Sequence, residues 1–238
     1  MLQATRDDLR EHAETSHAAV LQRFFKTGPG EYGEGDRFIG VRVPAIRRTA
    51  RRFKDLSLTD TQTLLESEIH EERLLALIIL TEKFRRGTTD EQAQIYELYL
   101  AKTRYINNWD LVDTSAEHIV GAYLKEKSRK PLYRLAKSNN LWKRRISIMA
   151  TFHYIKQNDF DEALKIAEML VADPEDLIHK AVGWMLREVG KRDRSVEEVF
   201  LKKHYPQMPR TMLRYAIEKF PEELRQQYLK GAIKAAHD

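Results

Sequence analysis

The chain has 238 residues, 42% hydrophobic and 32% charged, which gives enough apolar material for a sizeable core and excludes a disordered tail. It has no cysteine, so disulfides, thiolate catalysis and Cys-ligated zinc or iron–sulfur centres are excluded. The formal charge of +5 is a modest pointer to polyanions such as nucleic acid, and only its distribution can make it specific.

Glycine (10) and proline (7) are sparse while Leu, Ala, Glu, Lys and Arg are abundant, which favours helices over a turn-rich β fold. Helical periodicity predicts helices at 4–25, 44–54, 58–67, 70–86, 89–104, 108–126, 129–138, 141–157, 160–171, 174–190, 195–203, 209–219 and 221–236. The punctuation agrees: Thr88 with Glu91 fits a capping box, Asp173-Pro174 fits an N-cap followed by N1, and Phe220-Pro221 opens the last helix. Thr27 to Val43 reads as a long loop, glycine-rich around Gly28-Pro29-Gly30 and Gly33-Glu34-Gly35. It lacks Gly-Lys-Ser/Thr and follows no predicted strand, so it reads as a connector and not a phosphate cradle. No stretch approaches the roughly 18 apolar residues of a membrane span. The N-terminus lacks a signal-peptide layout, so a cytoplasmic protein that avoids membranes is expected. The eight histidines are scattered and His-Glu-x-x-His is absent, so neither a metal nor another cofactor is expected.

Helices of this length in short-linked pairs suggest an α-solenoid of two-helix repeats, all-α, with the whole of 1–238 as one repeat domain and a monomer as the expected state. The segments Glu72-Arg73-Leu74, Trp109-Asp110-Leu111, Arg144-Arg145-Ile146 and His179-Lys180-Ala181 superpose at spacings of 37, 35 and 35 residues, with Arg214 34 residues further on. Equivalent positions of a stack line one surface. Arg73, Arg145, Lys180 and Arg214 would therefore form a basic row on a concave face, interrupted by Asp110 and Asp113, unless they are simply solvated helix starts.

In the helix at 108–126, Val112, Ser115, Ala116, Ile119 and Tyr123 define the core face, and Trp109 and Asp113 fall together at its edge, four residues apart. Asn107 fits an N-cap with Asp110 as its third-position partner, which leaves Asp113 less explained by capping. In the helix at 174–190 the core face runs through Val182, Leu186 and Val189. Trp184 shares the opposite, polar stripe with Lys180, Arg187 and Glu188, a setting that suits stacking on a nucleotide as well as packing against a neighbouring repeat. Trp142, beside Lys143-Arg144-Arg145, reads as core.

One carboxylate and two tryptophans in a basic groove make a poor phosphodiesterase, which wants metals, and a poor acyl transferase, which wants a nucleophile and an oxyanion hole. They suit glycosidic cleavage, where a carboxylate stabilises an oxocarbenium-like sugar and orients water. A purine alkylated at N3 or N7 is already cationic and leaves as a neutral molecule, so a separate general acid is not needed.

The motifs Asn-Asn-Trp-Asp-Leu-Val-Asp at 107–113, Leu-Trp-Lys-Arg-Arg at 141–145 and Ala-Val-Gly-Trp-Met-Leu-Arg-Glu at 181–188 resemble those of the AlkD-type DNA alkylation repair glycosylases, which are built of HEAT-like repeats. Phe24-Phe25-Lys26, Phe38-Ile39-Gly40 and Val43-Pro44 extend the likeness over nearly the whole chain. The resemblance implies double-stranded DNA with alkylated purines as substrate. It also implies Asp113 as the catalytic carboxylate, Trp109 and Trp184 flanking the damaged nucleotide's sugar, and Arg145 on backbone phosphate. Lys180, Arg187, Arg144, Arg73 and Arg214 are further expected DNA contacts. Phe24 stands where better-known members carry a tyrosine, which removes a hydroxyl. Asn108 replaces the first residue of the family's Trp-Trp-Asp form and is expected to matter little. Two other readings stay open, a helical-repeat protein that binds DNA shape or backbone without excision, and a HEAT-like protein scaffold. A lyase acting through a lysine Schiff base has no evident desolvated lysine to use.

Overall fold

A computed structural model describes residues 1–233, and the last three residues of the helix expected at 221–236 lie outside them. The chain divides into two compact units, Met1–Ile119 and Val120–Asp238. The described residues contain no strand, only an isolated parallel bridge between Arg37 and Ile69. None of their helices is long and apolar enough to cross a membrane.

The first unit comprises α1 (Leu2–Arg10), α2 (Thr15–Phe24), α3 (Val43–Arg52), α4 (Leu58–Leu65), α5 (His70–Arg86), α6 (Thr89–Ala101) and α7 (Trp109–Ala116). Its centre is α5, packed against α3, α4, α6 and α7. Leu74, Leu75, Ala76, Leu77, Ile79 and Leu80 are all buried along it, so the helix is apolar around most of its circumference, as a surrounded helix must be. Local chemistry sets the neighbouring starts. Ser57 Oγ accepts from Asp60 N to cap α4, and Thr88 with Glu91 forms the expected capping box on α6.

The second unit comprises α8 (Lys130–Ala136), α9 (Leu141–Ala150), α10 (Phe152–Ile155), α11 (Asp161–Leu170), α12 (Asp176–Gly190), α13 (Arg194–His204), α14 (Arg210–Ala216) and α15 (Glu222–Leu229). Here α12 is central, against α9, α11, α13 and α14. Gly183 lets α12 and α14 approach closely, because a Cβ there would run into the Met212 carbonyl and the Tyr215 side chain. Trp142 is buried, as expected.

Several expected boundaries are corrected. The helix at 4–25 is two, because the chain breaks at Glu14, whose N–H donates to the Ile39 carbonyl and whose own carbonyl lies against Gly40. Gly40 has φ +85°, so both its backbone angle and its missing side chain are required there. The helix at 141–157 is interrupted at Thr151, whose hydroxyl bonds back to the Ile148 carbonyl at 2.6 Å. After α7 the chain passes into a π-helical turn at Glu117–Gly121 instead of continuing regularly. Asp173 does not cap the helix after it. That helix starts at Asp176, and the Asp173 carboxylate instead accepts from Glu175 N and the Arg144 guanidinium.

The opening residues of α5 carry the least ordinary feature of the fold. His70, Glu71, Glu72 and Arg73 are successive polar side chains, none more than 4% exposed. Glu71 accepts from the backbone N–H of Ile39 (3.2 Å), Gly40 (2.8 Å) and Val41 (3.2 Å), so one carboxylate fixes the end of the long loop. Glu72 is paired with Arg6 and Arg10 of α1, each at 3.0 Å. Replacing Glu71 with Ala would leave buried N–H donors without an acceptor, at about 1–3 kcal/mol for each. Urea denaturation at pH 7 is expected to show Glu71→Ala destabilised by at least about 3 kcal/mol, with Glu71→Gln in between; a loss below about 1 kcal/mol for Glu71→Ala would contradict the role given to this carboxylate.

Candidate functional site

In the first unit α3, α5 and α7 enclose a cleft of about 720 Å³, within the range of ~300–1,000 Å³ typical of ligand sites. From α7 it is lined by Trp109, Asp110 and Asp113, from α5 by Ile78 and Glu82, and from α3 and the residues just after it by Arg47, Arg51 and Lys54.

The wall formed by α7 is placed by its first residues. Asn108, and not Asn107, is the N-cap: its Oδ1 accepts from Trp109 N at 2.8 Å, and its Nδ2 donates to Asp36 Oδ2 at 3.1 Å. Asn108 is fully buried. It therefore does structural work at a position expected to matter little, because its side chain ties the helix start to the long loop. Asn107 also reaches that loop, donating to Asp36 Oδ1 at 3.3 Å.

Asp36 is the anchor of this corner. Besides the two asparagines it accepts from Arg73 Nη2 at 2.5 Å and contacts His70 Nδ1 at 3.0 Å. Burial opposes its charge, but the His70 hydrogen bond and the Arg73 guanidinium outweigh burial and hold its pKa at about 2. On the other side of the imidazole, His70 Nε2 lies 2.8 Å from Asp110 Oδ2. Burial by itself would lower the His70 pKa; the Asp110 charge and the hydrogen bonds to both carboxylates overcome it and raise the pKa above its ordinary 6.5. Asp110 is therefore an ion-pair partner of His70, which replaces the capping role expected for it.

An aromatic stack holds Trp109. Phe38 stacks on the His70 ring at 4.4 Å, Phe25 stacks on Phe38 at 5.0 Å, and Trp109 stacks on Phe25 at 5.2 Å. Phe24 meets Trp109 edge-on at 6.0 Å and is itself 61% exposed, an apolar ring at the rim. Asp113, one turn along α7 from Trp109, is half-buried. Its charge reaches the Tyr99 phenol, whose pKa is pushed up by burial and further by Asp113, against the hydrogen bond to Ser115 Oγ at 2.9 Å. Val112, Ser115, Ala116 and Ile119 are buried on the opposite side, so the face division read from periodicity places Trp109 and Asp113 together on the cleft.

The basic row does not lie open along its length. Arg73 is buried on Asp36. Arg145 is also buried and donates to the Leu177 carbonyl, while Arg144 pairs with the buried carboxylate of Asp173 at 2.6 Å. These three placements correct the expectation of surface cations: repeat spacing aligns positions but does not distinguish a side chain facing solvent from one drawn under the surface by a nearby acceptor. Lys180 remains partly exposed beside Asp176 at 2.7 Å, Arg187 pairs with Glu218, and Arg214 is exposed. Trp184 is half-buried. Its Nε1 donates to Glu188 Oε1 at 3.2 Å, and its ring lies 6.0 Å from Phe152, so its polar stripe includes a buried glutamate.

The cations that do face the cleft were missed. Arg47 and Arg51 are four residues apart on one face of α3, exposed, and among the described residues neither has an ion-pair partner. The run Arg47-Arg48-Thr49-Ala50-Arg51-Arg52 carries the signal, ahead of the first segment that shares the repeat spacing. Among the described residues no group of acidic and histidine side chains is arranged to hold a metal ion.

A family model described as DNA alkylation repair enzyme matches residues 5–220. No curated protein sequence matches. Among solved structures, a protein from Enterococcus faecalis described as a predicted DNA alkylation repair enzyme is similar, with a TM-score of 0.68 and 16% identity over 89% of this chain and 98% of that one. At that identity the likeness speaks for the fold, an all-α helical repeat. The match over residues 5–220 speaks for descent and for a role in DNA alkylation repair: the chain belongs to the DNA alkylation repair enzyme family.

Proposed function

We propose that the chain is a monofunctional DNA glycosylase that hydrolyses the N-glycosidic bond of cationic N3- or N7-alkylated purines in double-stranded DNA. The observation that carries this reading is that Trp109 and Asp113 open onto the same cleft as Arg47, Arg51 and Lys54. That combination supplies an aromatic face, a carboxylate and phosphate-binding cations at one place.

In the proposed reaction the C1′–N bond breaks with its electron pair going to the purine. The purine's positive charge is thereby cancelled and it departs neutral. Charge develops instead on the sugar, where Asp113 offers a nearby anion and Trp109 a ring face. Water adds at C1′, and its proton passes through Asp113 to solvent. The aromatic stack behind Trp109 supports this role, since a ring fixed on Phe25 does not need to be ordered when the nucleotide arrives. The edge-on ring of Phe24 extends the apolar rim, without the hydroxyl that a tyrosine would add. In the second unit we assign DNA contact to Trp184, Lys180, Arg187 and Arg214, while Arg145 stays with the framework.

Wild-type protein incubated with duplex DNA carrying N7-methylguanine is expected to release free base, and Asp113→Asn to release it at least about 100-fold more slowly with unchanged circular dichroism. Equal release by both proteins, or none by the wild type, would overturn the catalytic assignment and leave a DNA-binding protein without excision. Arg51→Ala is expected to weaken duplex binding and to make the slope of log K against log salt shallower by about one. An unchanged slope would remove α3 from the DNA-binding surface.

A further inference from the structure

We infer that His70 is a positioning residue for the cleft, holding Trp109 and Asp110 in place only while both of its ring nitrogens carry a proton. The geometry demands two donors. Nδ1 lies 3.0 Å from Asp36 Oδ2 and Nε2 lies 2.8 Å from Asp110 Oδ2, and an ionised carboxylate can only accept. A neutral imidazole has a single N–H and would turn its lone pair towards one of the two anions. The imidazolium satisfies both.

His70 grips Trp109 from two directions. Through Nε2 it holds Asp110, the residue next to Trp109 at the start of α7. Through its ring face it carries Phe38 and then Phe25, on which the indole stacks. The charged groups facing it are Asp36 from the long loop, Asp110 from α7 and Arg73 from its own helix, while Asn107 and Asn108 contribute neutral amides to Asp36. Two carboxylates, one guanidinium and one imidazolium sum to zero. Deprotonation leaves a buried net negative charge. Asp110 is the weak point of the set, since its Oδ1 is buried with no hydrogen-bond partner among the described residues and its Oδ2 is held by His70.

The stabilisation of the protonated arrangement is fully present below 6.5, the ordinary histidine value, and is lost as pH rises through the higher folded-state value. Trp109 is thus held below pH 6.5 and loosened as pH rises through the folded-state value. The effect on turnover rests on the glycosylase reading of the cleft, whereas the effect on Trp109 does not.

NMR of the full chain tests the two parts separately. The His70 ring protons and the Trp109 indole N–H, the latter assigned with Trp109→Phe, are followed from about pH 6 to pH 10. Both are expected to shift with one shared midpoint above 6.5, and the Trp109 transition is expected to vanish in His70→Gln, which keeps one donor but cannot titrate. Asp110→Asn, which does not depend on His70→Gln folding, is expected to lower the His70 midpoint by about one pH unit or more. An indole resonance that stays still while His70 titrates would overturn the inference, as would a His70 midpoint unmoved by Asp110→Asn. Base release from N7-methylguanine DNA should fall across the same interval in the wild type, and this alkaline limb should be missing in His70→Gln. If the wild type releases no base, the glycosylase reading fails while the two resonances still decide the role of His70.

Discussion

A buried imidazolium between two carboxylates is stable only when all three charges arrive together, and the first unit is arranged to make that happen. Asp36 comes from a loop, His70 from the start of the central helix and Asp110 from the start of the helix that bears Trp109 and Asp113. Removing one partner would leave an uncompensated charge at a site where His70 and Asp36 are buried and Asp110 is only partly exposed. The same three residues therefore define where α7 begins, how the long loop lies over α5, and what forms the floor beneath Trp109. Arg73 balances the second carboxylate, which is why a cation that repeat spacing would assign to the surface is drawn inside.

The sequence made the helical repeat and the face division of α7 readable because both rest on periodicity, and periodicity survives whatever the tertiary partners are. Trp109 and Asp113 share an edge in any helix that begins near residue 108. The run at 70–73 was harder to read. Histidine, two glutamates and an arginine at a helix start look like a solvated, dipole-friendly opening, and each is buried only because a partner reaches it from a distant segment: Asp36 and Asp110, the amides of residues 39–41, and the arginines of α1. No local signal announces such pairings. The loop at 27–43 was legible as a loop and silent about its contents, since its useful residues, Asp36 and Phe38, matter through what they touch. Asn107 and Asn108 illustrate the same limit. Either could cap a helix; Asn108 does so while both donate to Asp36, which is 72 residues from Asn108.

The cleft also shows how charge is sorted within a modestly basic chain. Cations drawn towards buried acceptors, such as Arg73 and Arg145, become part of the framework, whereas Arg47 and Arg51 on α3 face open space beside two carboxylates of α7. The cleft thus has a cationic wall on α3 and, on α7, an anionic one that also bears the Trp109 ring. A single-signed groove would attract polyanions without distinguishing one position along them. A groove of two signs favours one position of a bound polymer over the others.

The clamp made by Glu71 has a further consequence, for the order in which the molecule is assembled. Residues 39–41 are synthesised about thirty positions before the carboxylate that gathers their amides, and they have no strand or helix of their own to join in the meantime. Until α5 has emerged, the amides of residues 40 and 41 lack the carboxylate that gathers them, and the earlier anchor of this stretch is the bond from Glu14 N–H to the Ile39 carbonyl. Asp36 and Phe38 are carried on that loop, so the corner beneath Trp109 is complete only when a carboxylate synthesised later than either of them is in place.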